Sequence, residues 1–142
     1  MLYFCHKYAQ NDRLYPCDPQ KRALVDRMLY FDLGTLYNAI YSLVIPKLFG
    51  KVTEIDTNQE NQFKEALIIF EQFIGDKKYV TGDSLTLADI SILAGLTFLE
   101  VIDYKIHGFQ KVQDWLQRLE TELPYYNEIN KKPIEDFKAT RG

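Results

Sequence analysis

Apolar positions recur at helical spacing along almost the whole chain. From Lys21 to about Val44 the pattern does not break. A second stripe holds Phe63, Ala66, Leu67, Phe70, Phe73 and Ile74 and ends at Gly75-Asp76. A third holds Ile90, Leu93, Ala94, Thr97, Phe98 and Val101; a fourth, Val112, Trp115, Leu116, Leu119 and Leu123, begins after Gly108 and stops at Pro124. Steps of three and four place each set on one face of a helix. No alternating strand pattern exceeds a few residues, and there is no internal repeat or low-complexity tract. The pattern predicts an all-α bundle of about five to six helices.

Helix starts and stops are written beside these stripes. Asp18 precedes Pro19, an N-cap residue before a proline tolerated in a first helical turn. Leu85-Thr86-Leu87-Ala88-Asp89-Ile90 carries two start signals at once. Thr86 is placed as the N-cap and Asp89 can reach back to its backbone N–H, a capping box closed by Asp rather than Glu or Gln. Leu85 and Ile90 are spaced as a hydrophobic staple across that cap. Pro46 is the one proline inside a strong helical pattern, where its missing N–H and its ring bend a helix.

The helix from Lys21 to Phe49 carries more apolar surface than one core face requires. Leu24, Met28 and Phe31 mark one side, while Leu29, Leu33, Leu36, Tyr37 and Ile40 mark others. A helix apolar on most sides must be covered on most sides. Either the bundle buries it as a central helix, or a partner subunit, a neighbouring domain or a small hydrophobic ligand completes the cover.

Composition narrows the setting. The 142 residues are one domain's worth, 46% are hydrophobic, and the net charge is -3. Such a balance gives no basic face for nucleic acid or an anionic membrane, so neither is an expected partner. No run of about 18 apolar residues suggests a membrane span, and Met1 to Tyr8 lacks the layout of a secretory signal. The expected location is the cytoplasm. Cys5 and Cys17 are read as reduced thiols without zinc-ligand companions, and no metal site is expected.

The phrase Tyr79-Val-Thr-Gly-Asp-Ser-Leu-Thr-Leu-Ala-Asp-Ile-Ser91 resembles the motif that opens the central core helix in the C-terminal domain of cytosolic glutathione transferases. A second phrase agrees. Asp12-Arg13-Leu14-Tyr15-Pro16, Asp18 to Ala23 and Leu29 to Tyr37 resemble the linker and first C-terminal-domain helix of the insect delta and epsilon classes. Gly34-Thr35-Leu36-Tyr37 leans to delta, whereas Leu123-Pro124-Tyr125-Tyr126 also suits epsilon. The resemblance divides the chain into 1–10, the tail of the last helix of a thioredoxin-like N-terminal domain; 11–18, a linker; and 19–142, the helical domain.

In that family the N-terminal domain carries the activating hydroxyl or thiol and nearly all glutathione contacts. No residue here matches those positions, so none is assigned as catalytic or glutathione-binding, and the N-terminal domain is expected to be missing. There is no expected cofactor; glutathione is the co-substrate of the intact family. By resemblance, Tyr37, Ile40, Ile45 and Phe49 fall where delta-class proteins place electrophile-pocket side chains. Helical spacing adds Tyr41, and Phe137 is expected to reach the pocket as a lid. Isoleucine at 40 and 45, where relatives usually have aromatics, favours bulky aliphatic ligands over planar ones.

A homodimer surface is expected from Leu29, Tyr30, Phe31 and Asp32, together with Phe63 and Leu67. The family often carries Arg where Met28 stands, able to pair with the Asp matched by Asp32, so an equivalent link here would use Arg27. The implied function is conjugation of glutathione to hydrophobic electrophiles, with this chain supplying the pocket and the dimer surface. Two other readings stay open: a non-catalytic binder of apolar small molecules, and a protein-interaction helical module.

Overall fold

The computed structural model describes residues 1–50 and 52–140, so the last two positions of the expected 19–142 domain lie outside the described residues. The described residues are all-α and contain no named strand, only an isolated bridge between Tyr79 and Gly82. The helices are α1 (Leu2–Tyr8), α2 (Pro19–Phe31), α3 (Tyr37–Leu48), α4 (Thr57–Ile74), α5 (Leu87–Thr97), α6 (Gln110–Glu122) and α7 (Lys132–Ala139). Helices α2 and α3 run on through a π-helical turn, Asp32–Leu36, in which the Tyr37 amide reaches back five residues to the Asp32 carbonyl. With α2 and α3 counted as one long helix, the described bundle has six, in line with the apolar periodicity.

The central helix is α5, not the α2–α3 helix. Leu87, Ala88, Asp89, Ile92, Leu93, Gly95, Leu96 and Thr97 are all buried, so α5 is covered nearly all round. Helices α2 and α3 both pack on α5, α3 also packs on α4, and α4 packs on α6. The α2–α3 helix buries Val25, Met28, Leu36, Ile40, Leu43 and Val44 and turns its other side outward. Tyr30, Leu33, Tyr37 and Tyr41 stand exposed on it, Tyr30 at 76% and Leu33 at 67%. By length and composition alone, Pro19–Leu48 is apolar enough to cross a membrane, a test that a helix packed into a folded core also passes. Its buried face shows what that apolar character does in this fold.

Phe63 and Leu67 are 0% and 1% exposed, which removes both from the expected dimer surface. They lie on the face of α4 that also buries Ala66, Phe70 and Ile74. Phe70 meets Trp115 edge-on with centroids 5.3 Å apart, so the α4 stripe is spent on α6 and the core. Phe31, another dimer candidate, is half-buried between Phe70 and Phe73 at centroid distances of 6.1 and 5.1 Å.

One carboxylate ties the start of α5 to two other parts of the chain. Asp89 is fully buried. Its Oδ2 accepts from the Thr86 amide at 2.9 Å and from the Thr86 hydroxyl at 3.0 Å, within the capping box that opens α5. Its Oδ1 accepts from the Val80 amide at 2.9 Å and from the Trp115 indole Nε1 at 3.0 Å. Four donors therefore satisfy a side chain whose burial alone would be costly. The linker joins the same cluster, because the Leu87 amide donates to the Leu14 carbonyl at 2.8 Å. Tyr15, next along, donates its hydroxyl to Asp26 of α2 at 2.8 Å.

Asp89→Ala is expected to lower stability by about 3 kcal/mol, because four buried donors lose their acceptor together. Trp115→Phe alone should cost about 1–2 kcal/mol, and less in the Asp89→Ala background, where the indole bond is already gone. Chemical denaturation of the two single variants and the double variant checks this; fully additive losses would contradict the coupling.

Candidate hydrophobic ligand site

A cavity of about 600 Å³ opens between the α2–α3 helix and α5, at the level of the π-helical turn. Its wall is mainly apolar: Leu29, Leu33 and Tyr37 from one side, Leu87, Ala94 and Phe98 from the other, with Met1 and Leu2 at the margin. The size falls within the range of small-molecule pockets, roughly 300–1,000 Å³. Gly95 lies where the two walls meet, with room for a Cβ at ordinary contact distance. A Cβ at that position would lie 3.7 Å from Ile40 Cδ1 and 3.8 Å from both Asp32 Oδ1 and Tyr37 Cδ2.

The polar groups in this wall are Asp32 and Ser91. Ser91 Oγ donates to Asp32 Oδ2 at 2.6 Å. Asp32 is only 6% exposed, and its Oδ1 has no hydrogen-bond partner among the described residues. Burial pushes the Asp32 carboxyl above its ordinary value of 3.8, and the Ser91 hydrogen bond opposes this only in part. The expected ion pair with Arg27 is not formed: the Arg27 guanidinium lies over the Phe73 ring at 5.1 Å. Met28, where relatives were expected to carry arginine, is fully buried in the core. Asp32 thus faces the interior rather than a subunit surface, which corrects its placement among the dimer candidates.

The six residues expected to form one pocket do not surround one cavity. Tyr37 lines the cavity described above, and its ring lies 6.2 Å from that of Tyr41. Ile40 is fully buried and belongs to the core, so it offers no surface to a ligand here. Ile40 follows the π-turn of residues 32–36, which adds one residue to that turn of the helix. Ile45 is half-buried against the core, and Phe49 stands exposed at the C-cap of α3. Phe137 lies on α7, which packs against the 3₁₀ segment Phe98–Ile102.

Sequence reasoning passed over Ser91, Ala94, Gly95 and Phe98 as site residues, and read Leu33 only as part of an apolar face. A signal was present. Asp32 and Ser91 each interrupt an otherwise apolar helical stretch, and two such interruptions on packed helices are candidates for partners.

The remaining candidates are placed as follows. Leu29 is half-buried and lines the cavity, while Tyr30 projects to solvent. Leu85 packs partly buried against the core. Both cysteines are free thiols, and the His6 ring packs edge-on to Tyr15 at 5.6 Å.

The raised Asp32 carboxyl has a stability consequence. The folded state holds this proton more tightly than the unfolded chain. Stability is therefore fully present below the ordinary carboxylate value and is lost as pH rises through the folded value. Asp32→Asn keeps an acceptor for Ser91 and removes the buried charge. The variant is expected to be more stable than the parent by about 1 kcal/mol at neutral pH, with the gap closing towards about pH 4. Thermal unfolding of both proteins across this range checks it; a variant less stable at neutral pH would contradict it.

Comparison with known proteins assigns the fold to a family. Residues 35–122 match the model of the glutathione S-transferase C-terminal domain. Glutathione S-transferase D6 of Drosophila melanogaster is 34% identical over 128 residues, which cover 90% of this chain and 59% of that protein. The structure of a delta-class glutathione transferase of Nilaparvata lugens superposes with a TM-score of 0.88 at 32% identity, over 97% of this chain and 64% of that one. Isozyme E7 of Drosophila melanogaster gives 0.83 at 34% identity, over 98% and 63%. The chain thus spans about three-fifths of the length of these relatives. With its helices in that arrangement around a buried, capped α5, this chain belongs to the glutathione S-transferase C-terminal domain family.

Proposed function

We propose that this chain supplies the hydrophobic-substrate side of a glutathione-conjugating site. In this reading an apolar electrophile rests between the α2–α3 helix and α5, and glutathione, the co-substrate, is bound and activated by other residues of the intact enzyme. The observation that carries the reading is the apolar cavity of about 600 Å³ between two helices of a glutathione S-transferase domain.

The chemistry divides accordingly. A hydrogen bond to the glutathione sulfur lowers its thiol pKa, and the thiolate attacks an electrophilic carbon. Holding the electrophile beside that sulfur converts an encounter between two molecules into a step within one complex. Leu29, Leu33 and Phe98 do this by excluding water from an apolar body, and Tyr37 adds an aromatic edge with a polar tip. With Ile40 withdrawn into the core, selectivity rests on these side chains.

A cytoplasmic homodimer through the outer side of α2 belongs to the same reading. Tyr30 supports it, since a tyrosine exposed at 76% is surface that a second copy would cover.

Titration of the purified chain with a hydrophobic fluorescent dye tests the pocket. Saturable binding is expected without added glutathione. Leu33→Glu, which puts a charge in the cavity wall, should weaken binding by about tenfold or more, whereas Tyr41→Glu, outside that wall, should leave it within about twofold. Folded protein that binds no dye, or equal loss in both variants, would overturn the reading.

A further inference from the structure

A second cavity, of about 500 Å³, shares no lining residue with the first. It lies where the end of α3, the first half of α4 and the segment 102–109 meet. Its floor is apolar: Leu67 and Ile102 are buried there, and Ile55, Ile106 and Phe109 are half-buried. Lys47, Lys64 and Lys105 stand around that floor with two carboxylates, Glu60 and Asp103. Both carboxylates are already taken. Glu60 pairs with Lys64 at 2.9 Å and accepts the Tyr104 hydroxyl at 3.2 Å. Asp103 pairs with Lys138, which reaches it from α7. Lys138 holds the Asp103 carboxyl below its ordinary value, and the charges of Lys105 and Lys47 add to this from longer range. Among the described residues neither Lys47 nor Lys105 forms an ion pair. Two positive charges are thus in surplus around an apolar floor, in a chain whose net charge is -3. Like charges on a concave wall concentrate their potential inside it and repel one another, and both effects favour an anion there.

We propose that this second cavity binds hydrophobic phosphate monoesters: an alkyl or aryl body lies on the floor, and a dianionic head meets Lys47 and Lys105. A phosphate monoester carries about -1.5 to -2 charges near neutral pH, which matches the two unpaired ammonium groups, and its three free oxygens accept from both. A sulfate or carboxylate head, with one charge, leaves one ammonium in surplus. An alcohol leaves both. Inorganic phosphate meets the same lysines but leaves the carbon surface of Leu67, Ile102 and Phe109 uncovered, so the apolar body contributes affinity that the head alone lacks. Lysine stems suit such a rim, because they cover apolar surface while the charged ends stay in water, and Lys47 is itself half-buried. The concave shape fits a free small molecule, whose body enters the cavity, better than a flat lipid surface.

Isothermal titration of the chain at about pH 8 with decyl phosphate, decyl sulfate and decanol, below their aggregation concentrations, tests the site; the two anions share a tetrahedral head and differ in charge. Decyl phosphate should bind about threefold or more tightly than decyl sulfate, and about tenfold or more tightly than either decanol or inorganic phosphate. Lys47→Gln combined with Lys105→Gln should bring decyl phosphate to within about threefold of decanol, with helical content by circular dichroism unchanged. Lys21→Gln, at the start of α2 and outside this wall, should leave decyl phosphate within about twofold of the parent. Equal binding of the three decyl ligands to the parent overturns the inference, as does a phosphate preference that survives the double substitution. Inorganic phosphate binding as tightly as decyl phosphate overturns it too, leaving a bare anion site. Phosphatidylcholine vesicles carrying phosphatidic acid should not retain the chain; retention on them without binding of free decyl phosphate assigns the lysines to a bilayer surface and overturns the cavity.

Discussion

The buried carboxylate of Asp89 and its four donors hold the structure's parts in register. The loop from Gly75 to Thr86 has little regular structure of its own beyond the Tyr79–Gly82 bridge, yet Val80 is fully buried and its amide is fixed on Asp89. The same carboxylate holds the first turn of α5 and the indole of Trp115 on α6. The ring of Trp115 in turn meets Phe70 of α4. A single side chain thus sets where α5 begins, and with it how α4 and α6 stand around it. The linker adds its Leu14 carbonyl to the Leu87 amide, which ties the entry to α2 to that same point.

Once α5 is the central helix, the rest follows from what it leaves uncovered. The α2–α3 helix has more apolar surface than α5 and α4 can take, so Tyr30, Leu33, Tyr37 and Tyr41 remain outside. Beyond the π-turn from Asp32 to Leu36, Ile40 lies in the core while Tyr37 stays on the cavity wall. Two buried carboxylates on packed helices then play opposite parts. Asp89 is saturated with donors and serves the fold; Asp32 has one donor and an unpaired oxygen and faces the cavity. A protein tolerates a group of the second kind where a ligand or a function uses it.

Much of this was legible in the sequence where the information is local. Helical periodicity gave the elements, because a step of three or four residues is a property of one segment. The Thr86–Asp89 pair spans three residues, and so did the Asp18 cap, whose carboxylate accepts from the Lys21 amide at 2.9 Å. Residues brought together from far apart were not legible. Val80 and Trp115 lie 9 and 26 residues from Asp89, and Ser91 lies 59 from Asp32. Nor does an apolar stripe say which neighbour covers it: Phe63 and Leu67 were read as subunit surface but face the core. The π-turn was hidden because Asp32, Gly34 and Thr35 lower helix propensity without saying which kind of turn the backbone takes.

The family assignment carries the architecture, and the site reading rests on the cavity between the α2–α3 helix and α5. Both depend on α5 being pinned where Asp89 puts it. Native-state hydrogen exchange followed by NMR tests that dependence most directly, at the Val80 and Thr86 amides and the Trp115 indole N–H. If the Asp89 cluster opens only when the whole bundle does, all three exchange with the same high protection as the amides of α5. Val80 or Thr86 exchanging rapidly, like a surface loop, while α5 stays protected would contradict the account.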